Sequence, residues 1–211
     1  KGKGLNMAGE QSGFDERAKS WDDDPMKTAR AQAVADGMGK AASWKPGMRA
    51  IEFGCGTGLL SFALQARFAA ITLADTSPGM LDVLRQKIEM AGLPHMQAVL
   101  LDDSATMNGQ PFDMVYSLMT LHHVTDVNVA LRRFHDWLGD GGQLCIADLD
   151  AEDGSFHDHD PSVHNGFERA QLAGMVAAAG FDNIRFSTVF QIVKGNPART
   201  YPVFLMIATK D

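Results

Sequence analysis

The chain is short of cysteine, of positive charge and of long apolar stretches, and each shortage removes a class of protein. It has 2 cysteines in 211 residues, Cys55 and Cys145, in unrelated segments and without CxxC spacing. Neither a disulfide framework nor a cysteine zinc site can be built from them, and both read as reduced thiols of a cytoplasmic protein. Lys+Arg 19 against Asp+Glu 26 leaves a net charge of −7, so no broad basic face is available for a nucleic-acid backbone. No apolar run approaches the roughly 18 residues that span a bilayer, and the first residues lack a signal-peptide core. Repeats and low-complexity linkers are missing too. What remains, 45% hydrophobic and 21% charged residues, is the composition of an ordinary globular domain. Its length lets it bury roughly 70% of the surface its unfolded chain exposes.

The chain opens Lys1-Gly2-Lys3-Gly4, and Met7 is expected to be its natural start, with Lys1–Asn6 a remnant. Residues 1–40 are read as that remnant and a helical extension, with Asp24-Pro25 as a helix start, and 41–211 as the main domain. From Met48 onward strands and helices alternate. Strands are predicted at Arg49–Phe53, Ala70–Ala74, Met96–Leu101, Phe112–Leu118 and Gln143–Asp148. The helices between them begin at Leu59, at Ser77-Pro78 and at Asp126. Asn165 with Glu168 resembles a capping box for a further helix closed by Gly180. Ile184–Val193 and Tyr201–Thr209, joined by a Gly-Asn-Pro turn, read as a terminal hairpin. Such alternation demands an α/β fold: parallel strands with helices on both faces, plus an antiparallel C-terminal hairpin. Ligands of such sheets bind at the carboxyl ends of the strands.

The strongest chemical signal lies there. Ile51-Glu52-Phe53-Gly54-Cys55-Gly56-Thr57-Gly58 puts glycines at a strand-to-helix turn, where backbone can approach a ligand and helix amides are free. A nucleotide cofactor is implied, and three details narrow it. Leu59 stands where the dinucleotide fingerprint needs its third Gly or Ala. An anionic Glu52, two residues before the turn, would repel a pyrophosphate and attract an ammonium. Asp75 ends the second strand, placed to accept from both ribose hydroxyls, and at a strand edge it should matter little to stability. A ligand with a ribose, an ammonium and no phosphate points to S-adenosylmethionine.

At these residues the chain resembles the class I S-adenosylmethionine-dependent methyltransferases, in particular their small-molecule branch. Glu52-x-Gly54-x-Gly56-x-Gly58, Asp75, Leu101-Asp102, Phe112-Asp113 and Leu138-x-x-Gly141-Gly142 fall in the family's order. The resemblance implies a Rossmann-like seven-stranded, mostly parallel sheet with its last strand antiparallel. It also implies direct methyl transfer to a small-molecule acceptor, with no membrane or nucleic-acid partner and no statement on oligomeric state. Gly54, Cys55 and Gly56 would then line the methionine moiety, Asp75 hold the ribose, and Thr76 lie beside the adenine. Asp102 would accept from the adenine amino group, a role that the adjacent Asp103 would fill equally well, and Leu118 would lie near the sulfur. Phe14 and Trp21 would shield the sulfonium or anchor the extension to the core. A non-catalytic S-adenosylmethionine-binding module shares all these residues; a nicotinamide-dependent oxidoreductase is disfavoured by Leu59 and Glu52.

Five of the 7 histidines, His122, His123, His157, His159 and His164, fall on segments at the ligand edge. His123 is the candidate general base, with a pH limb near the ordinary imidazole value of about 6.5, or else it holds its loop by a backbone hydrogen bond. The run Asp148–Asp160 is dense in possible ligands, and His157, His159 and His164 are the set a metal would use. Without a fixed ligand geometry it is read as a solvated acidic loop with no metal.

Overall fold

A computed structural model describes residues 11–102, 107 and 109–211 of the chain. Lys1–Asn6, Met7 and Asp103 lie outside the described residues. The strands are β1 (Arg49–Phe53), β2 (Ala70–Asp75), β3 (Met96–Leu100), β4 (Phe112–Leu118), β5 (Leu138–Leu149), β6 (Phe181–Lys194) and β7 (Arg199–Lys210). They form one sheet in the order β3-β2-β1-β4-β5-β7-β6. β1 pairs in parallel with both β2 and β4, so the order reverses there and a crevice opens over their carboxyl ends.

The expected hairpin is present, with a topology the sequence pattern explains in retrospect. β7 is antiparallel to β5 and to β6 and lies between them, so the second strand of the hairpin enters the sheet and the first becomes the edge. Val203 through Ala208 are all buried, a run that needs cover on both faces. In β6 only Phe181 and Ile192 are buried, as suits an edge strand.

Helices α2 (Pro25–Ala41), α3 (Leu59–Leu64) and α4 (Pro78–Ala91) cover one face of the sheet; α5 (Val127–Trp137) and α6 (Arg169–Ala178) cover the other. Alternation along β1 divides the core. Ala50 packs with Val34, Met38 and Leu60, while Ile51 and Phe53 pack with Leu131 and Phe134. The helix starts follow their capping residues: Asp24, Ser77 and Asp126 accept from the amides of Met26, Met80 and Val129. The capping box at Asn165 does not form. α6 starts after Glu168 with no side-chain cap, because the Asn165 carbonyl is drawn into a bond from the Glu152 amide. α3 is also shorter than the pattern suggests, ending at Leu64 in a 3₁₀ turn. Among the described residues no helix is long and apolar enough to cross a membrane.

A short helix α1 (Gln11–Arg17) and the 3₁₀ turn Ala18–Asp23 precede α2 and dock beside α4. Asp15 accepts from Ser77 Oγ at 2.5 Å and from the Gly79 amide at 2.8 Å. Gly79 permits this approach, since a Cβ there would stand 3.0 Å from the Asp15 backbone. Asp22 takes Thr57 Oγ1 at 2.5 Å and Lys87 Nζ at 2.6 Å.

Candidate active site

At the β1/β4 reversal lies a cavity of about 500 Å³. Its walls come from the glycine turn, the end of β2, the segment after β4, the turn near 156, and the N-terminal helices. Gly54, Cys55, Gly56, Asp75, Thr76, Leu118 and His123 all line it, as do Phe14, Trp21, His122 and His157. Asp102 does not; it is exposed beyond the end of β3. A second cavity, about 630 Å³, is lined by Asn128 of α5, by Gln171 and Met175 of α6 and by Thr125 and His164 of the loops between.

The three glycines of the turn do different work. All have positive φ, +68° at Gly54, +52° at Gly56 and +82° at Gly58, which excludes most side chains by strain. A Cβ on Gly54 would collide with Thr120, whose hydroxyl donates to the Gly54 carbonyl at 3.1 Å. One on Gly58 would press on Leu84 at 2.7 Å. A Cβ on Gly56 would meet protein only at 4.0 Å, at Met80 Sδ and Trp21 Nε1, so it would project into the cavity. Gly56 alone of the three keeps space for a ligand.

Asp75 accepts from the Gly56 amide at 2.7 Å and the Ser77 amide at 2.9 Å, so it braces the turn as well as lining the cavity. That corrects the expectation of little structural importance: losing it would strand two amides. Burial raises its pKa, against the pull of these backbone bonds.

Glu52 differs from the expected free anion. It is 2% exposed and sits at the end of a chain in which Ser61 donates to it and Tyr116 lies 2.6 Å from Ser61. Burial pushes its carboxyl up to about 8, so it holds a proton at neutral pH. Burial likewise drives the Cys55 thiol well above its ordinary value, which removes it as a nucleophile.

The opposite end of the cavity is built from histidines. His122 is 1% exposed, and its Nδ1 lies 2.6 Å from Oδ1 of the fully buried Asp148. Burial works to raise the Asp148 pKa, but the adjacent His122 and the Leu149 amide outweigh it and the net shift is downward. The rings of His122, His123 and His157 lie 4.1, 5.0 and 5.2 Å apart between centroids. Burial, then the neighbouring His122 and His157, lower His123 to about 3; burial and His122 lower His157 to about 4. Both are neutral near pH 7, and the limb expected near 6.5 does not belong to a free imidazole here. His159 and His164 are exposed elsewhere, the latter bonded to the Val124 carbonyl at 2.9 Å. Phe14 stands edge-on to His123 at 5.5 Å and to Trp21 at 5.8 Å.

A family model described as "Methyltransferase domain" matches residues 26–185. The chain belongs to the class I S-adenosylmethionine-dependent methyltransferases. The methyltransferase domain is 29% identical over 156 residues to the uncharacterized methyltransferase C1347.09 of Schizosaccharomyces pombe, covering 66% of this chain and 55% of that protein. It is 35% identical over 100 residues to the Ubiquinone biosynthesis O-methyltransferase of Ruegeria pomeroyi, covering 47% and 40%. The chain thus spans about half the length of these curated relatives or less. The YcgJ protein of Bacillus subtilis shares the fold with a TM-score of 0.69 at 15% identity, over 84% of this chain and 97% of that one.

The methyltransferase site fits the family's cofactor on grounds of its own. Gly56 keeps a space that any Cβ would fill. Arg30 lines the same cavity, with its Nε buried and without a hydrogen-bond partner. Arg30 is not among the residues expected from the sequence, although its spacing, four residues before Val34 and eight before Met38, puts it on the buried stripe of α2.

Proposed function

We propose that the chain binds S-adenosylmethionine in this cavity and transfers its methyl group to a small-molecule acceptor that enters beside His123. The observation that carries the reading is that one cavity joins the glycine turn and Asp75 to a group of imidazoles. Similarity to an O-methyltransferase supports an acceptor that presents oxygen. When bound, the cofactor supplies a methyl group on a positively charged sulfur.

The chain's own residues bind, orient and exclude water. Gly56 makes the close backbone contact with the methionine part, while Gly54 and Cys55 hold the turn in shape. Asp75 takes the ribose hydroxyls on the lone pairs that its two backbone bonds leave over. Thr76 lies by the adenine, and Leu118 contributes backbone near the sulfur. Arg30 is assigned to the methionine carboxylate, which would take the Nε–H that has no hydrogen-bond partner among the described residues. Asp102 stands outside the lining, and its role at the adenine amino group rests on the resemblance alone. His123 offers a neutral ring nitrogen to the proton of an acceptor hydroxyl or amine. Phe14 and Trp21 form an aromatic wall that favours a cation and keeps out water. Residues 11–40 thereby serve as a cap on the methyltransferase domain of 41–211, latched through Asp15 and Asp22.

Calorimetry with S-adenosylmethionine, followed by radiolabelled methyl transfer to a panel of phenols, quinols and amines, tests this. Binding with turnover is expected. Binding without turnover on every acceptor would make the chain a binding module instead, and no binding would overturn both readings.

A further inference from the structure

We infer that His122, His123 and His157 form a three-imidazole site for a divalent transition-metal ion at the acceptor end of the cavity. Its ligands differ from those that spacing along the chain suggested, since His157 is joined by the pair after β4 and not by His159 and His164. One nitrogen from each of the three rings lies within 4.8 Å of the other two. Tetrahedral bonds of about 2.0–2.1 Å would put such nitrogens about 3.3 Å apart, so the rings close on an ion by about an ångström.

The decisive feature is which nitrogens are already used. Asp148 is 0% exposed and is itself held by the Leu149 amide at 2.7 Å. It engages Nδ1 of His122, and a carboxylate on one imidazole nitrogen fixes the tautomer that turns a lone pair outward on the other. That other atom, Nε2 of His122, is buried without a partner, and so is Nε2 of His157, which arrives from a separate turn at Ser155–His157. Packing of the rings, two pairs tilted and one edge-on, accounts for the centroid distances but leaves these atoms unsatisfied. A single proton could bridge two nitrogens, whereas one metal ion serves all three.

The donor set selects the ion. Three imidazoles with no carboxylate oxygen among them suit zinc, cobalt(II), nickel or iron(II), and not magnesium or calcium. Arg17, Lys27, Arg30 and Lys194 line the same cavity and oppose a cation; the buried charge of Asp148 directly behind His122 offsets part of that opposition. Three protein ligands leave a fourth position open, the pattern of catalytic and not of structural sites. That this position receives an acceptor oxygen rests on the methyl-transfer reading above, and with the ion bound His123 is its ligand and not a base; the ion itself does not rest on that reading.

The test is a titration of the chelator-stripped full chain, without a histidine tag, by cobalt(II) and then zinc(II). One equivalent of cobalt should bind with the visible absorption of a tetrahedral ion, and zinc should displace it, while magnesium should do neither. His157→Ala, on a half-buried surface turn, should abolish the absorption, and Asp148→Asn should weaken binding about 10–100-fold. His159→Ala, three positions from the phenylalanine beside that turn but exposed, should bind as the parent does. No stoichiometric cobalt, or cobalt binding indifferent to His157→Ala, would overturn the site. Calorimetry with S-adenosylmethionine on the same samples separates the two ideas. Cofactor binding without metal would sink the metal site alone; metal binding without cofactor would sink the methyltransferase reading alone.

Discussion

The two ends of the cavity solve the same electrostatic problem by different construction. The glycine end is made of residues close in sequence, 52–58 with 75–77, and it keeps a buried acid protonated. The histidine end draws on the turn after β4, the end of β5 and the turn near 156, and it keeps buried bases unprotonated. In both, desolvation disfavours the charged form. The lesson is that a local motif builds a backbone cradle, whereas a cluster of side chains needs distant segments brought together.

Substitutions at the two ends should separate binding from turnover. Gly56→Val fills the cradle and should weaken S-adenosylmethionine by at least about 100-fold, with a stability loss of about 1 kcal/mol from the side chain at positive φ. Gly54→Val should instead destabilise by about 3 kcal/mol, near 10 °C in melting temperature, because its side chain lands on Thr120. Calorimetry and thermal melts on both variants check this, and equal behaviour would break the division of labour within the turn. At the other end, His123→Ala should lower turnover by about 10²–10⁴-fold while cofactor affinity stays within about twofold. A large loss of cofactor affinity there would merge the two ends into one.

Glu52 tests the proton held at the glycine end. Below pH 4.5 both folded and unfolded chains keep it. As pH rises towards 8 the unfolded chain releases the proton first, so native stability falls across that window and flattens above it. Glu52→Gln removes this slope, and denaturant melts should show the variant gaining on the parent by roughly 2–4 kcal/mol between those limits. A parent without the slope would mean that Glu52 is ionised. The smallest effect is expected for Asp75→Ala, with cofactor affinity down at least about tenfold and stability down by about 1–3 kcal/mol as the amides of Gly56 and Ser77 lose their acceptor. Unchanged affinity with the stability loss would leave Asp75 a brace only.

Element order, three of the helix starts and the location of the cradle were legible from residues 24–25, 54–58, 77–78 and 126 alone. Caps, positive-φ glycines and apolar periods act over a few residues, so they are written locally. By the same reasoning the continuous apolar run of β7 already contained its interior place in the sheet. Three matters depended on the tertiary structure. Gly54 proved to pack against Thr120, 66 residues away, as well as lining the cavity. Glu52 keeps its proton because the sheet seals it beside Ser61 and Tyr116. His122 meets His157 and is aimed by Asp148, 26 residues further along. In each case the deciding contact joins strand ends that approach only when the sheet closes, and both the loss of water and the geometry of that contact come from packing that no local spacing encodes.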